Sequence, residues 1–120
     1  TQSNFVTDNG RTFSFQITES DVDGKDPLLT FRAIDENGND LVLKPVMGAF
    51  AHVVAFEPSL NGFAHLHPLE YEPPKSADDV SYGPLTFSFK SATPGSYRFW
   101  AQVKVGEDTE ESFIPFDLKI

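Results

Sequence analysis

The chain has 120 residues, enough for one hydrophobic core without staples, and 39% of them are apolar, including twelve Phe, three Tyr and one Trp among the aromatic and aliphatic set. Nine Lys and Arg against eighteen Asp and Glu leave a formal charge of −9, which repels phosphate backbones and anionic lipid heads and argues against a nucleic-acid partner. Zero cysteines exclude disulfides, thiolate metal sites and thiol chemistry, and no apolar run is long enough to cross a bilayer, so membrane insertion is not expected.

The opening residues, "TQSN", carry neither an initiator Met nor a signal peptide, so the chain reads as a mature or trimmed fragment forming one domain over residues 1–120. Along the chain the strongest signals alternate with a period of two, as half-buried strands require. "RTFSFQIT" sets Phe13, Phe15 and Ile17 on one face. "LLTFRAID" follows, then "ENGND", whose Asn37-Gly38 pair is expected to supply the positive φ angles of a tight reversal. "LVLKP" is short and stops at Pro45. "FAHVVAFE" and "GFAHLHP" are apolar runs joined by "PSLN", which reads as a hairpin loop. "LTFSFK" aligns Leu85, Phe87 and Phe89; "SYRFWAQVKV" aligns Tyr97, Phe99, Ala101, Val103 and Val105; "SFIPFDLKI" aligns Ile114, Phe116, Leu118 and Ile120. Seven or eight strands without helical periodicity predict an all-β fold, an antiparallel β-sandwich of immunoglobulin-like type. Its expected core holds Phe13, Phe15, Phe31, Phe87, Phe89, Tyr97, Phe99 and Phe116, and "TPGSYRF" resembles the tyrosine corner of such sandwiches.

All three histidines, His52, His65 and His67, lie in the hairpin region 49–70. A four-residue loop from Pro58 to Asn61 puts Val54 opposite His65 and His52 opposite His67, and directly opposed residues share a face. The three imidazoles then converge, with Phe50, Val54, Phe56 and Phe63 around them. Convergent neutral imidazoles suit a borderline transition metal such as copper or zinc. The competing reading is that they are polar positions hydrogen-bonded to backbone.

Met47, the one methionine, precedes the first histidine strand and would favour copper if it reached the site; core filling is its plainer role. The segment "PLEYEPPKSADDVSYG" is too long and too acidic for a simple turn and is expected to form a flap, with Glu70, Tyr71, Glu72, Asp78 or Asp79 as carboxylate or phenol candidates. "DVDGKD" and "DENGND" read as turns rather than calcium loops. Trp100 is expected to face outward with Arg98, Gln102 and Lys104.

The succession "FRAIDENGNDLVLKPVMGAFAHVVAF", "FAHLHP", "GPLTFSFKSATPGSYRFWAQVKV" and "FIPFDLKI" resembles a family of bacterial secreted or lipoprotein domains. Its pattern is a strand ending in D-x-x-G, an L-x-P-x-x-G-A segment, a G-H-hydrophobic strand, H-x-H-P, a variable loop and P-x-G-x-Y-[KR]-x-W-x-Q. The resemblance runs from about residue 28 to the end, and H-x-H-P and Y-[KR]-x-W-x-Q are its most specific parts. It implies an immunoglobulin-like or cupredoxin-like sandwich in the cell envelope (periplasmic, secreted or lipid-anchored) tied to heavy-metal, especially copper, handling. Under it His52 is the first His and His65 and His67 are the H-x-H; Ala51 replaces the usual Gly, which alters how closely backbone can approach there.

The expected function is an extracytoplasmic module that binds copper, or alternatively zinc, through His52, His65 and His67 with Met47, for storage, delivery or sensing. The alternative is an immunoglobulin-like interaction or structural module whose aromatic hairpin docks a protein partner or the other domains of a larger parent protein. An enzyme is not expected: no general base is positioned for hydrolysis, and the histidines are used up in the cluster.

Overall fold

The computed structural model describes residues 2–8, 10–18, 27–56, 64–69, 74–89, 96–108 and 110–119, without the side chains of 2–6, 8, 18, 64, 65 and 67–69. The strands are β1 (Gln2–Asp8), β2 (Arg11–Thr18), β3 (Leu28–Ile34), β4 (Leu43–Lys44), β5 (His52–Phe56), β6 (Ala64–His65), β7 (His67–Leu69), β8 (Leu85–Ser88), β9 (Ser96–Val105) and β10 (Ser112–Lys119). They form an antiparallel β-sandwich. One sheet runs β1-β2-β3-β8-β7 and the other β10-β9-β5-β6, with β4 also paired to β9. No helix among the described residues is long and apolar enough to cross a membrane.

The alternation read from sequence decides what is buried. Phe13, Phe15 and Ile17 of β2, Leu29, Phe31 and Ala33 of β3, and Phe99, Ala101, Val103, Ile114, Phe116 and Leu118 of β9 and β10 all face one core. All eight aromatic residues expected there are buried. The sheets are joined by ring contacts: Phe15 meets Phe99 edge-on with centroids 5.3 Å apart and Phe116 at 5.0 Å. Such pairs add about 1 kcal/mol to the burial of their area. Tyr97, the second residue of β9, is buried edge-on against Phe89 at 5.1 Å. Ile120 lies outside the described residues.

Ten strand segments are present among the described residues against seven or eight expected. One addition is β1, whose only apolar residues are the adjacent Phe5 and Val6, so it has no alternation to read. It pairs along its whole length with β2, the chain reversing between Asp8 and Arg11 with Gly10 at φ 77°. The sequence signal for it was Asn9-Gly10, a strong hairpin dipeptide.

The other addition comes from a strand that changes sheets. Ala64 and His65 pair with Ala55 and Val54 in one sheet, while His67, Pro68 and Leu69 pair with Ser88, Phe87 and Thr86 in the other. Leu66, buried in the core, sits at the switch and still donates its N–H to the Val53 carbonyl at 2.9 Å. A strand that leaves one sheet for the next makes a corner of the sandwich. On the opposite side β1 lies against β10.

The "DENGND" turn differs in detail from the expected reversal. Gly38 N–H donates to Asp35 O at 3.1 Å and Asp35 N–H to Asn39 O at 2.8 Å. Gly38 takes φ 85° and Asn37 does not join it in the left-handed region. This is a three-residue loop, a type I turn followed by a left-handed glycine. The carboxylate Oδ1 of Asp35 accepts from the N–H of Asn37 (2.9 Å) and of Asn39 (3.0 Å), and Asp40 accepts from Arg32 Nε at 2.7 Å. These acids are engaged as turn residues, in line with the turn reading; "DVDGKD" lies outside the described residues.

The expected flap is tied down. After β7 the chain makes a turn in which Asp79 accepts from the N–H of Lys75 and of Val80, both at 3.1 Å. Ser81 then bridges to Leu43, with N–H to carbonyl bonds of 2.6 and 2.9 Å in the two directions. The segment crosses to β4 of the other sheet before returning to β8. Pairing of its backbone, which acidity and length do not reveal, makes it a strap rather than a free flap.

Candidate metal centre

The outer face of the β10-β9-β5-β6 sheet is set by register. One row reads Phe113, Gln102, His52; the next Pro115, Trp100, Val54 and then position 65; the third Asp117, Arg98, Phe56. Trp100 faces outward with Arg98, Gln102 and Lys104 as expected, and all four are exposed or half-buried. The Arg98 guanidinium lies 6.0 Å from the Trp100 ring centroid and makes two 2.8 Å bonds to the Asp117 carboxylate. Hydrogen bonding to Arg98 holds the Asp117 carboxyl below its ordinary range, and the same bond raises the Arg98 pKa.

His52 begins β5 on this face. β4 and β5 both pair antiparallel with β9, but out of phase: Lys44 faces Lys104 and His52 faces Gln102. The stretch 45–51 therefore stands opposite Val103 alone and must leave the sheet. It does so as a two-residue hairpin, with Val46 N–H donating to Ala49 O at 2.7 Å and Ala49 N–H to Val46 O at 3.1 Å. Its central residues, Met47 at φ 46° and Gly48 at φ 79°, both lie in the left-handed region, the signature of a type I′ turn.

That excursion supplies the partner of the first histidine. His52 Nε2 lies 2.6 Å from the Val46 carbonyl oxygen, which already accepts from Ala49. Met47 at the tip is 72% exposed, so it does not fill the core. The sequence placed Met47 before the histidine strand without showing the turn, because Met is not a residue type I′ turns favour; Gly48 after Pro45 was the available signal.

Val54 faces His65 as expected, but His67 does not face His52; it pairs with Ser88 across the corner. The ladder from β5 ends at the Leu66 N–H to Val53 O bond. Around that single bond the backbone gathers the three positions: 52 precedes Val53, and 65 and 67 flank Leu66. The side chains of His65 and His67 are outside the description. Among the described residues no three His, Asp or Glu side chains converge on one point.

The expected surroundings are partly revised. Phe50 is buried in the core, because it lies in the excursion where strand alternation does not run, so it cannot belong to an exposed hairpin patch. Val54 and Phe56 do share the outer face with His52. Phe63 and the acidic candidates Glu70, Tyr71 and Glu72 lie outside the described residues. Asp79 is engaged in its own turn, and Asp78 is exposed on the strap.

A family model described as "Domain of unknown function (DUF8832)" matches residues 6–120, and the chain belongs to that family. No curated protein matches the chain.

Proposed function

We propose that this DUF8832 domain is an extracytoplasmic metal-binding module that holds copper, or alternatively zinc, through His52, His65 and His67, with Met47 as a fourth ligand, for storage, delivery or sensing. The observation that carries the reading is the Leu66 N–H to Val53 O bond, which keeps the backbone of all three histidine positions beside one corner of the sandwich. His52 is half-buried, and the exposed Met47 belongs to the turn whose Val46 carbonyl meets the His52 ring. Neutral imidazoles with a thioether are a donor set suited to copper, and imidazoles alone to zinc. Strands β5, β6 and β7, rather than a loop, would then carry the three imidazole ligands.

The test is titration of untagged protein with Cu(II), Cu(I) and Zn(II), each beside the His52→Ala, His65→Ala, His67→Ala triple variant. One equivalent bound by the parent and none by the folded triple variant is the expected result. Equal binding by both would remove the metal reading. Then the interaction module takes its place, favoured by the exposed Phe56 and Phe113 that flank the half-buried Trp100 on the same sheet face.

A further inference from the structure

The two nitrogens of an imidazole are distinct, and the bond made by one decides what the other can do. In His52 the 2.6 Å contact of Nε2 is with a carbonyl oxygen, which can only accept, so Nε2 must carry the proton. In a neutral ring the remaining lone pair is then on Nδ1. The carbonyl belongs to Val46, and its position is set by the turn closed through Val46 and Ala49, with Met47 and Gly48 both at positive φ. A residue such as Met is disfavoured in that region, so the turn is held by its surroundings rather than by its own preference. Val46 and Ala49 are both buried, which anchors the base of the turn while its tip stays in solvent.

We infer that the 46–49 turn locks His52 as its Nε2–H tautomer, and that Nδ1 is the one atom through which His52 donates to a ligand. The second half rests on the metal reading above; the first does not. The turn is a positioning element: it touches no ligand through Val46, but it aims the ring and selects its donor atom, as outer hydrogen bonds to metal-binding histidines do. A competing arrangement, ligation through Nε2, would break the Val46 bond and leave the ring to rotate.

The test is long-range 15N–1H correlation of the imidazole rings in the metal-free protein, at a pH where the rings are neutral, repeated with one equivalent of Zn(II). Three histidines give three ring systems, and His52→Gln assigns the one in question. The expected metal-free spectrum shows His52 wholly as Nε2–H; an Nδ1–H ring or a mixture overturns the lock whether or not zinc binds. With Zn(II) the His52 Nδ1 resonance should move while Nε2 keeps its proton. A shift at Nε2 with loss of its proton overturns the assignment of the donor while leaving the metal reading intact. If neither Zn(II) nor, in a parallel sample, diamagnetic Cu(I) moves a histidine ring, both the metal reading and the donor assignment are overturned, with the tautomer still decided by the first spectrum. Gly48→Val, which cannot hold φ 79° comfortably, should return the ring to a mixture of tautomers, and Gly48→Ala serves if the valine variant does not fold. Either variant, folded and still wholly Nε2–H, would show that the turn is not what holds the ring.

Discussion

In the Asp35–Asn39 reversal the side chains complete the turn: Asp35 accepts two backbone N–H groups, Gly38 alone takes the left-handed conformation, and Asp40 is paired with Arg32. In the Val46–Ala49 reversal no side chain of the turn does this work, a methionine occupies a left-handed position where Asn, Asp or Gly is favoured, and that methionine is exposed. What the second turn has instead is a carbonyl held against a histidine six residues on. A reversal completed by its side chains and one set against local preference are separated by only six residues of chain, 40–45. The second turn therefore carries a local conformational cost that the first does not, and it lies beside the site proposed above.

Backbone substitutions should separate the two most strongly. Among the described residues no atom lies within 4 Å of where a Cβ would stand on Gly38 (φ 85°) or Gly48 (φ 79°), so the expected cost of a side chain at either is the conformational one. Gly38→Val and Gly48→Val should each destabilise by about 2 kcal/mol, read from urea midpoints. Only Gly48→Val should also weaken Zn(II) or Cu(II) binding. Equal loss of binding in both variants would mean that metal affinity follows global stability and not this turn.

The hydrogen bonds come next. Asp35→Ala leaves two N–H groups to exposed surroundings where water replaces the carboxylate, and should cost about 1 kcal/mol. His52→Ala removes the bond to Val46, but that carbonyl keeps Ala49 N–H as a partner and is not orphaned, so the loss should again be about 1 kcal/mol. His52→Gln, whose amide can reach about as far as Nε2, should recover most of that stability and none of the metal binding. If His52→Gln binds metal as the parent does, the ring is structural.

How much of this was legible in the chain depends on whether local pattern or tertiary competition decides. Phe13, Phe15, Phe31, Phe99 and Phe116 could be placed because alternation is dictated by having one wet and one dry face. The Val54–His65 register followed from the hairpin loop length. The departure of His67 could not be read, because it turns on Ser88 of β8 competing with β5 for the same strand, and nothing within 49–70 encodes that. Phe50 was misplaced for a related reason: alternation was extended through residues that β9 leaves unpaired. For the candidate site, then, the sequence yields which residues to ask about, and the sheet pairing that places their backbone depends on strands far away in the chain.

The smallest expected effect has opposite signs in two measurements. Met47→Asn keeps a turn of the same type while substituting a residue that tolerates φ 46°, and it removes an apolar side chain that is 72% exposed and has little burial to lose. Thermal stability should therefore rise, by a few tenths of a kcal/mol and at most about 1. If the thioether is a ligand, Cu(I) affinity should fall by about tenfold, about 1.4 kcal/mol. Zn(II) affinity should stay near that of the parent, since an ion of that kind gains little from a thioether and the His52 bond to Val46 is unchanged. The analogous change in the other reversal, Glu36→Asn, should move neither metal and should leave stability within the ordinary scatter of surface substitutions. A Met47→Asn variant that is more stable and binds Cu(I) as before would reduce the methionine to an unfavourable turn residue and leave copper and zinc to be told apart by the three histidines alone.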